Sequence, residues 1–383
     1  MPPVTSRLPN VGTTIFTVMS QLAADVGAVN LGQGFPDFDI PEPLGELLAR
    51  AVREGRNQYA PMSGLPVLRE AIAAKTQAEY GHHADPATDI TVTSGATEAI
   101  FNAILAVVQP GDDVIVLDPS YDSYEPGVLM AGARCVHVAL NPVDFSVDWD
   151  AVAAAVTSRT RLIIVNSPHN PSGAVWSADD LARLAAITRE HDLLIISDEV
   201  YEHIVFDARR HQGVLRSPEL AARAFVVSSF GKTYHCTGWK VGYCIAPAAL
   251  SAEFRKVHQY NTFATSTPAQ WAFAEMLRAH PEHHAGLGAF YQAKRDRFRA
   301  SLARTRLRPL ATSGSYFQLV DYSTISDLPD GDFARWLCTT HGVASIPLSP
   351  FYAKPPAGQR IVRLCFAKHD ATLDAAIERL ERA

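Results

Sequence analysis

The 383-residue sequence predicts an α/β fold, with a largely parallel sheet between helices followed by a smaller α+β unit. Three observations support this. Short β-rich runs alternate with helical patterns through the middle of the chain, which is typical of a parallel sheet. The pattern changes near residues 280–300, where helix is followed by short separated strands. Each β-rich run of the first part ends in a polar cluster, as expected where strand ends form a ligand cleft.

The elements follow in order along the chain. A helix is predicted near residues 14–26, in an otherwise irregular first segment. Helical patterns at residues 98–108 and 178–191 separate the β-rich runs. Six strands are predicted, at residues 90–93, 114–117, 134–138, 162–165, 193–196 and 225–227.

The last part of the chain predicts a separate unit. It contains a helix at residues 295–305, strands at 316–320 and 361–366, and a closing helix from residue 371. We therefore expect three segments: residues 1–40 as an N-terminal arm that packs on the small unit or on a second chain, 41–285 as the large domain, and 286–383 as the small domain.

Composition limits the classes of function. Hydrophobic residues make up 47% and charged residues 19%, as in an ordinary globular protein. The net charge of −6 gives no sign of nucleic-acid binding. No apolar run is long enough for a membrane span, and no signal-peptide pattern is visible. The five cysteines form no Cys-x-x-Cys pair, which favours a cytoplasmic location and argues against a disulfide framework or a zinc site.

Lys232 is the most informative candidate residue. It lies among small and hydroxyl residues in the segment 228–243, directly after an apolar run, and Lys240 follows eight residues later. A desolvated lysine amine loses its proton readily and attacks carbonyl carbons. Ser229 and Lys240 suit a phosphate, so the segment indicates pyridoxal phosphate bound to Lys232. A P-loop is excluded because position 226 is Val, whereas a surface lysine after a strand remains an alternative.

Asp198 closes a fully apolar predicted strand, where an unpaired carboxylate would be costly. It therefore requires a partner, and a protonated pyridine nitrogen would serve. That pairing makes the ring an electron sink. Tyr201, three residues later, can donate a hydrogen bond to the phenolic oxygen of the same ring.

Three further strand ends carry candidate cofactor ligands. Gly95, Ala96 and Thr97 open a helix whose free amides can bind a phosphate, although any capped helix has this pattern. Tyr121 can stack on a flat heteroaromatic ring or pack as an ordinary core aromatic. Asn170 can donate to a cofactor oxygen or serve only as a turn residue.

Arg363 lies inside an apolar predicted strand, where a buried charge demands a counter-ion. Its planar guanidinium matches the α-carboxylate of an amino acid. An internal ion pair with one of the 40 acidic residues is the equally weighted alternative.

Together these clusters, in this order, resemble the fold-type-I pyridoxal phosphate enzymes of aminotransferase class I and II. The resemblance runs from about Thr13 to the C-terminus. It rests on Asn170-Pro171-x-Gly173, Asp198-Glu199-x-Tyr201 and Ser229-x-x-Lys232 with Gly238-x-x-x-Gly242. The closer resemblance is to the branch of the methionine and kynurenine aminotransferases (glutamine transaminase K), at residues 30–38, 57–61, 232–234, 237–242 and 363–368.

The resemblance implies a seven-stranded, mostly parallel sheet and a role for each candidate. Lys232 would hold the cofactor covalently and then move the substrate α-proton, Asp198 would face the pyridine nitrogen, and Tyr201 the phenolic oxygen. The implied cofactor-binding set is Gly95, Ala96, Thr97, Tyr121, Asn170, Asp198, Tyr201, Ser229, Lys232 and Lys240, with Tyr59 from the second subunit of a homodimer. The implied substrate-binding set is Phe16, Gly34, Asn170, Phe263 and Arg363. Many relatives have Arg at the position of Lys240, but the branch of the methionine and kynurenine aminotransferases shares the lysine.

The implied reaction is a two-step transfer between an amino acid and a 2-oxo acid, with methionine, phenylalanine, tyrosine, kynurenine and glutamine as plausible donors. At this point the sequence also allows a second arginine in the pocket that selects dicarboxylate substrates. A carbon–sulfur β-lyase would use the same lysine and cofactor. An α-oxoamine synthase would need a coenzyme A site, for which no dedicated feature is seen, and about thirty residues before Gly32 are too few for the DNA-binding domain of a transcription regulator.

Overall fold

A computed structural model describes residue 2 and residues 4–383. The strands of this structure are β1 (Val29–Asn30), β2 (Ile90–Thr93), β3 (Asp113–Asp118), β4 (Arg134–Ala139), β5 (Thr160–Asn166), β6 (Leu194–Asp198), β7 (Ala224–Ser229), β8 (Gly242–Ile245), β9 (Arg308–Pro309), β10 (Phe317–Asp321), β11 (Val343–Ala344), β12 (Ile346–Pro347) and β13 (Ile361–Cys365). The six strands predicted in the middle of the chain are confirmed, with ends that shift by one or two residues.

The α-helices are α1 (Ile15–Val26), α2 (Glu42–Arg53), α3 (Pro66–Tyr80), α4 (Gly95–Val107), α5 (Tyr124–Met130), α6 (Trp149–Ala155), α7 (Ala178–Glu190), α8 (Pro218–Ala221), α9 (Phe230–Thr233), α10 (Ala248–Asn261), α11 (Thr267–Ala279), α12 (Pro281–Leu302), α13 (Asp330–His341) and α14 (Asp370–Leu380). Short 3₁₀ turns lie at Val214–Arg216, Thr237–Trp239 and Ser349–Phe351. The helix predicted at 295–305 corresponds to the last part of α12. This helix begins at Pro281, 14 residues before the predicted start.

The central sheet has seven strands in the order β2-β8-β7-β6-β5-β3-β4. All of its neighbouring pairs are parallel except those of β8, which runs antiparallel to β2 and to β7. The seventh strand expected by resemblance is therefore β8. Its run of four residues begins with Gly242, and this composition does not stand out as a strand in the sequence.

Both faces of the central sheet are covered. Successive residues of β3 alternate between two hydrophobic clusters, with Ile115 and Leu117 in one and Val114 and Val116 in the other. This alternation follows from the two-residue period of a strand, and it explains why the strands appear as continuous apolar runs in the sequence. The sheet is thus a rigid layer whose strand ends are held in fixed positions.

A second sheet, of four antiparallel strands in the order β12-β13-β10-β9, lies in the C-terminal part. Arg363 of β13 is opposite Leu319 of β10 and Ile346 of β12. A short parallel pair joins β1 to β11, so that Val29 and Asn30 lie beside the C-terminal elements. Among the described residues, no helix is both long and apolar enough to cross a membrane.

Candidate active site

A cavity of about 260 Å³ lies where several strands of the central sheet end. Asn166, Asp198 and Ser229 are the last residues of β5, β6 and β7, and all three line it. Gly95, the first residue of α4, follows the end of β2 and also faces the cavity. Parallel strands bring these ends to the same edge of the sheet, as the sequence pattern predicted.

The cavity contains every predicted site residue except Tyr59 and Phe263. Its complete lining is Phe16, Gln33, Gly34, Gly95, Ala96, Thr97, Ile100, Tyr121, Asn166, Asn170, Asp198, Val200, Tyr201, Ser229, Thr237, Lys232, Lys240, Phe317 and Arg363. Residues more than 300 positions apart in the chain therefore meet at one site.

Lys232 lies in the short helix α9 and reaches the cavity wall. Its Nζ donates to the carbonyl oxygen of Gly34 over 3.2 Å and to the hydroxyl of Tyr316 over 3.1 Å. Enclosure of the amine within the protein lowers the pKa of Lys232 to about 8, because burial disfavours the ammonium form. A substantial fraction of the amine is therefore neutral near pH 8, and a neutral amine is nucleophilic.

Asp198 is buried and has no cation within ion-pair distance among the described residues. Its Oδ2 accepts a hydrogen bond from the Tyr124 hydroxyl at 2.6 Å, and its Oδ1 accepts one from the Val200 amide at 3.3 Å. Burial raises the pKa of Asp198 to about 6. A cationic nitrogen in the cavity would compensate this carboxylate, so the site fits a protonated pyridine ring.

Two residues that support Asp198 and Asn170 were missed by the sequence reasoning. Asn166 donates to the Asp198 carbonyl at 2.8 Å and accepts from the Asn170 amide at 2.8 Å. Tyr124 lies six residues beyond the end of β3, and its hydroxyl is the donor to Asp198. Both belong to polar clusters at strand ends, but the sequence does not show which member of a cluster faces which strand.

The anion-binding side of the cavity is formed by the start of α4 and by Lys240. Gly95 has a φ of +77°, and a Cβ at this position would lie 3.3 Å from the Lys240 Nζ. Lys240 itself adopts the left-handed conformation, with a φ of 54°. Free amides at the N-terminus of the 13-residue helix, the Ser229 hydroxyl and this ammonium together fit a phosphate group.

Arg363 is only 1% exposed and carries a charge that the described protein does not pair. Its two terminal nitrogens donate to the Asn170 side-chain oxygen at 2.8 Å and to the Gly32 carbonyl at 3.0 Å. No carboxylate oxygen of the described residues lies within 4.0 Å, which is evidence against the alternative of an internal ion pair. The Phe317 and Phe16 rings flank the guanidinium, at 3.9 Å and 5.1 Å from its central carbon.

Burial lowers the pKa of Arg363, yet an arginine stays protonated in proteins. A buried unpaired cation is costly, and a ligand carboxylate would remove that cost. Arg363 is therefore positioned to receive an anionic group from the cavity.

Tyr59 and Phe263 lie outside this cavity. Tyr59 is 84% exposed and Phe263 is 41% exposed, and their rings meet edge to face at 5.5 Å. An exposed aromatic pair of this kind is typical of a surface that another chain covers.

Tyr201 and Tyr316 complete the surroundings of Lys232. Tyr201 is buried, its ring centroid is 5.7 Å from the Lys232 Nζ, and burial raises its pKa. Tyr316, which sequence reasoning named only as part of a strand, donates to the Gly34 carbonyl at 2.6 Å. The Tyr316 ring meets that of Tyr201 at 5.1 Å.

A mostly parallel sheet whose strand ends bring together a desolvated lysine, a buried carboxylate and a buried arginine without a carboxylate partner is the arrangement of an α/β enzyme with its site at the sheet edge. The chain matches the family model described as aminotransferase class I and II over residues 26–380. It belongs to this family, whose members are pyridoxal phosphate-dependent, and it is an aminotransferase.

Three similar proteins indicate the branch. Methionine aminotransferase of Escherichia coli K12 is 56% identical over 98% of this chain and 97% of its own. A solved structure of N-succinyldiaminopimelate aminotransferase from Mycobacterium tuberculosis has a TM-score of 0.96 at 42% identity, over 99% of this chain and 100% of that chain. Human kynurenine–oxoglutarate transaminase 1 is 34% identical over 98% of this chain and 97% of its own. The resemblance to the methionine and kynurenine enzymes is confirmed.

Proposed function

We propose that this protein binds pyridoxal 5'-phosphate and moves the amino group of a neutral, sulfur-containing or aromatic amino acid to a 2-oxo acid. The observation that carries the proposal is that Lys232 and Arg363 line the same cavity, in which Arg363 has no carboxylate partner among the described residues. The first supplies a nucleophilic amine, and the second supplies a receptor for the α-carboxylate. Similarity to methionine and kynurenine enzymes supports the substrate class.

Four parts of the site would hold the cofactor. The amides of Gly95, Ala96 and Thr97, with Ser229 and Lys240, would bind the phosphate. Asp198 would pair with the ring nitrogen, Tyr201 and Asn170 would bind the phenolic oxygen, and Tyr121 would stack on the ring. When bound, the cofactor withdraws electrons from the substrate α-carbon and so makes its proton removable.

The protein's own groups then orient the substrate and move the proton. Arg363 and Asn170 receive the α-carboxylate, with the Gly34 backbone beside it. Binding of the carboxylate at this position determines which bond of the α-carbon faces Lys232. The Nζ of Lys232 would take the α-proton as a general base and later return it as a general acid. A pKa of about 8 suits both roles, since the amine and ammonium forms then have similar free energies near neutral pH.

The substrate side chain would lie among Phe16, Tyr121 and Phe317, where aromatic walls favour rings and thioethers. Arg363 is the only arginine among the described residues that line the cavity. If it receives the α-carboxylate, this chain offers no second arginine there for a distal carboxylate. Neutral donors are therefore favoured over dicarboxylates.

We also propose the molecular setting. The protein acts as a cytoplasmic homodimer, in which Tyr59 and Phe263 of one subunit contribute to the site of the other. The chain divides into an N-terminal arm (1–40), a large domain (41–285) and a small domain (286–383). The pairing of β1 with β11 and the exposure of the Tyr59–Phe263 pair support these assignments.

A covalent trap tests the proposed function. The protein incubated with pyridoxal phosphate should show a visible absorption band, which borohydride abolishes, and mass spectrometry should find the added cofactor mass on Lys232. Lys232→Ala should lose both the adduct and turnover. Lys354→Ala, at an exposed position, should keep both. An adduct elsewhere, or wild-type turnover by Lys232→Ala, would contradict the proposal.

A further inference from the structure

The amine of Lys232 makes two hydrogen bonds that determine its orientation. It donates to the Gly34 carbonyl at 3.2 Å and to the Tyr316 oxygen at 3.1 Å. Tyr316 itself donates its single hydroxyl proton to the Gly34 carbonyl at 2.6 Å. Because that proton is used, the Tyr316 oxygen acts toward Lys232 only as an acceptor.

The two hydrogen bonds leave one tetrahedral position of the Lys232 nitrogen without a partner. A neutral lysine amine has two N–H bonds and one lone pair. If one N–H points to Gly34 and the other to Tyr316, the lone pair is the position that remains for the cavity, which Lys232 lines. The α-proton of a bound substrate must be taken by that lone pair.

We propose that Tyr316 is a positioning residue for proton transfer, which holds the freed Lys232 amine with its lone pair toward the substrate α-carbon. This inference rests on the proposed function. In the step itself, a bond forms between the lone pair of Nζ and the α-proton. The C–H bond breaks, and its electron pair stays with the substrate. The amine becomes an ammonium whose third N–H is the proton to be returned.

The packing around Tyr316 explains why it can hold this position. Its side chain is fully buried, and its ring meets those of Tyr201, Tyr291 and Phe317 at centroid distances of 5.1, 5.7 and 4.9 Å. The Tyr316 carbonyl accepts a hydrogen bond from the Phe366 amide at 3.0 Å. A buried aromatic side chain held by several neighbours loses little further entropy when it binds the lysine.

Tyr316 also links the lysine to the carboxylate receptor. It immediately precedes β10, which pairs with β13, the strand of Arg363. The group that orients the base thus directly adjoins the strand pair that carries the group orienting the substrate. The hydrogen bond from the Phe366 amide to the Tyr316 carbonyl continues from the end of that β-ladder and ties the two positions together.

Tyr316→Phe tests the inference, with Tyr291→Phe as the matched control. Phenylalanine keeps the ring of residue 316 and removes only the hydroxyl. Tyr291 is a buried neighbour whose hydroxyl has no hydrogen-bond partner in the described structure. Both variants therefore delete one buried hydroxyl from the same aromatic cluster, but only one deletes a contact with Lys232.

The first readout does not depend on the cofactor. In cofactor-free protein, the pH dependence of Lys232 acylation by acetic anhydride, followed by peptide mass spectrometry, reports the pKa of Lys232. The Tyr316 oxygen accepts a hydrogen bond that favours the ammonium form. Its loss in Tyr316→Phe should lower that pKa by about half to one unit. The Tyr291→Phe variant should titrate like the wild type.

The second readout is kinetic. With α-deuterated methionine, Tyr316→Phe should show a larger primary isotope effect than the wild type and a kcat reduced by about tenfold or more, with KM little changed. A wild-type pKa of Lys232 together with a wild-type isotope effect in Tyr316→Phe would overturn the inference. If the wild type itself fails to transaminate, the proposed function is wrong. The acylation titration still shows whether the Tyr316 hydroxyl binds Lys232, because it uses cofactor-free protein.

Discussion

Arg363 shows at the residue scale how one side chain connects stability to recognition. It is buried between two aromatic rings and satisfies two of its nitrogens with Asn170 and Gly32, while its Nε remains unpartnered. A charge held in this way costs free energy in the free protein. A substrate α-carboxylate that binds Arg363 would pair the charge and remove this cost.

Arg363→Lys should weaken substrate binding strongly, because lysine keeps the charge but loses the planar fork. We expect KM for the amino donor to rise and kcat/KM to fall about 10–100-fold, which corresponds to about 1.4–2.7 kcal/mol. Steady-state kinetics with methionine measures this. Arg295→Lys is the control, since Arg295 binds Asp207 outside the cavity. An unchanged KM in Arg363→Lys would contradict the assigned role.

The lowered pKa of Lys232 predicts the pH dependence of cofactor capture. Only the neutral amine attacks an aldehyde, and its fraction rises with pH until it levels off above the pKa. The rate of holoenzyme formation from cofactor-free protein and pyridoxal phosphate should therefore rise to a plateau just above pH 8. Stopped-flow absorbance measures this rate. A rate that still climbs beyond pH 10 would indicate an ordinary lysine.

At the element scale, a buried polar network joins α3 to the strands behind the site. Lys75 of α3 donates to Glu202 at 2.8 Å and to Tyr243 of β8 at 2.7 Å, and Ser228 of β7 also donates to Glu202. Burial alone would lower the pKa of Lys75, but the attraction of Glu202 raises it well above its usual value. The network thus anchors the loop that follows Asp198.

Lys75→Met should lower the free energy of unfolding by roughly 3–5 kcal/mol, because Glu202 would remain buried without its cation. Adding Glu202→Gln should recover a large part of that loss, since the buried charge is then removed as well. Urea denaturation of the two variants and the wild type measures the difference. A double variant no more stable than Lys75→Met would show that the charge pair is not the cause.

The sequence predicted those site residues whose position follows from the strand pattern. Asp198 and Arg363 stand out because a charged side chain within an apolar strand requires a partner. Tyr124 and Tyr316 were missed for a physical reason. Tyr124 is the first residue of α5 and Tyr316 lies directly before β10, and their contacts with Asp198 and Lys232 depend on three-dimensional packing. Strand β8 was not predicted as a strand, because it has only four residues and begins with glycine.

For the whole molecule, the proposed homodimer accounts for the exposed pair Tyr59 and Phe263. Neither residue lines the cavity of its own chain, and Tyr59 is the more exposed of the two. In the proposed homodimer, Tyr59 would reach the cofactor phosphate of the other subunit. These observations support an active site shared between subunits.

Hybrid dimers test this arrangement. Homodimers of Lys232→Ala should be inactive, and homodimers of Tyr59→Ala should bind the cofactor more weakly. A hybrid of the two contains one site with both changes and one site with neither. Unfolding and refolding the mixture should therefore restore activity to roughly a quarter of the wild-type level, as random pairing makes half of the dimers hybrids with one intact site each. Activity no greater than the sum of the separate variants would contradict a shared site.

A single-turnover experiment tests transamination through Lys232. The pyridoxal phosphate-loaded protein is mixed with excess methionine in the absence of any 2-oxo acid, and the products are quantified by mass spectrometry. We predict one equivalent of the methionine-derived 2-oxo acid per active site and no release of ammonia. In a parallel incubation with a cysteine S-conjugate in place of methionine, release of a thiol, pyruvate and ammonia at a comparable rate would identify a β-lyase instead. Absence of the 2-oxo acid would contradict the account.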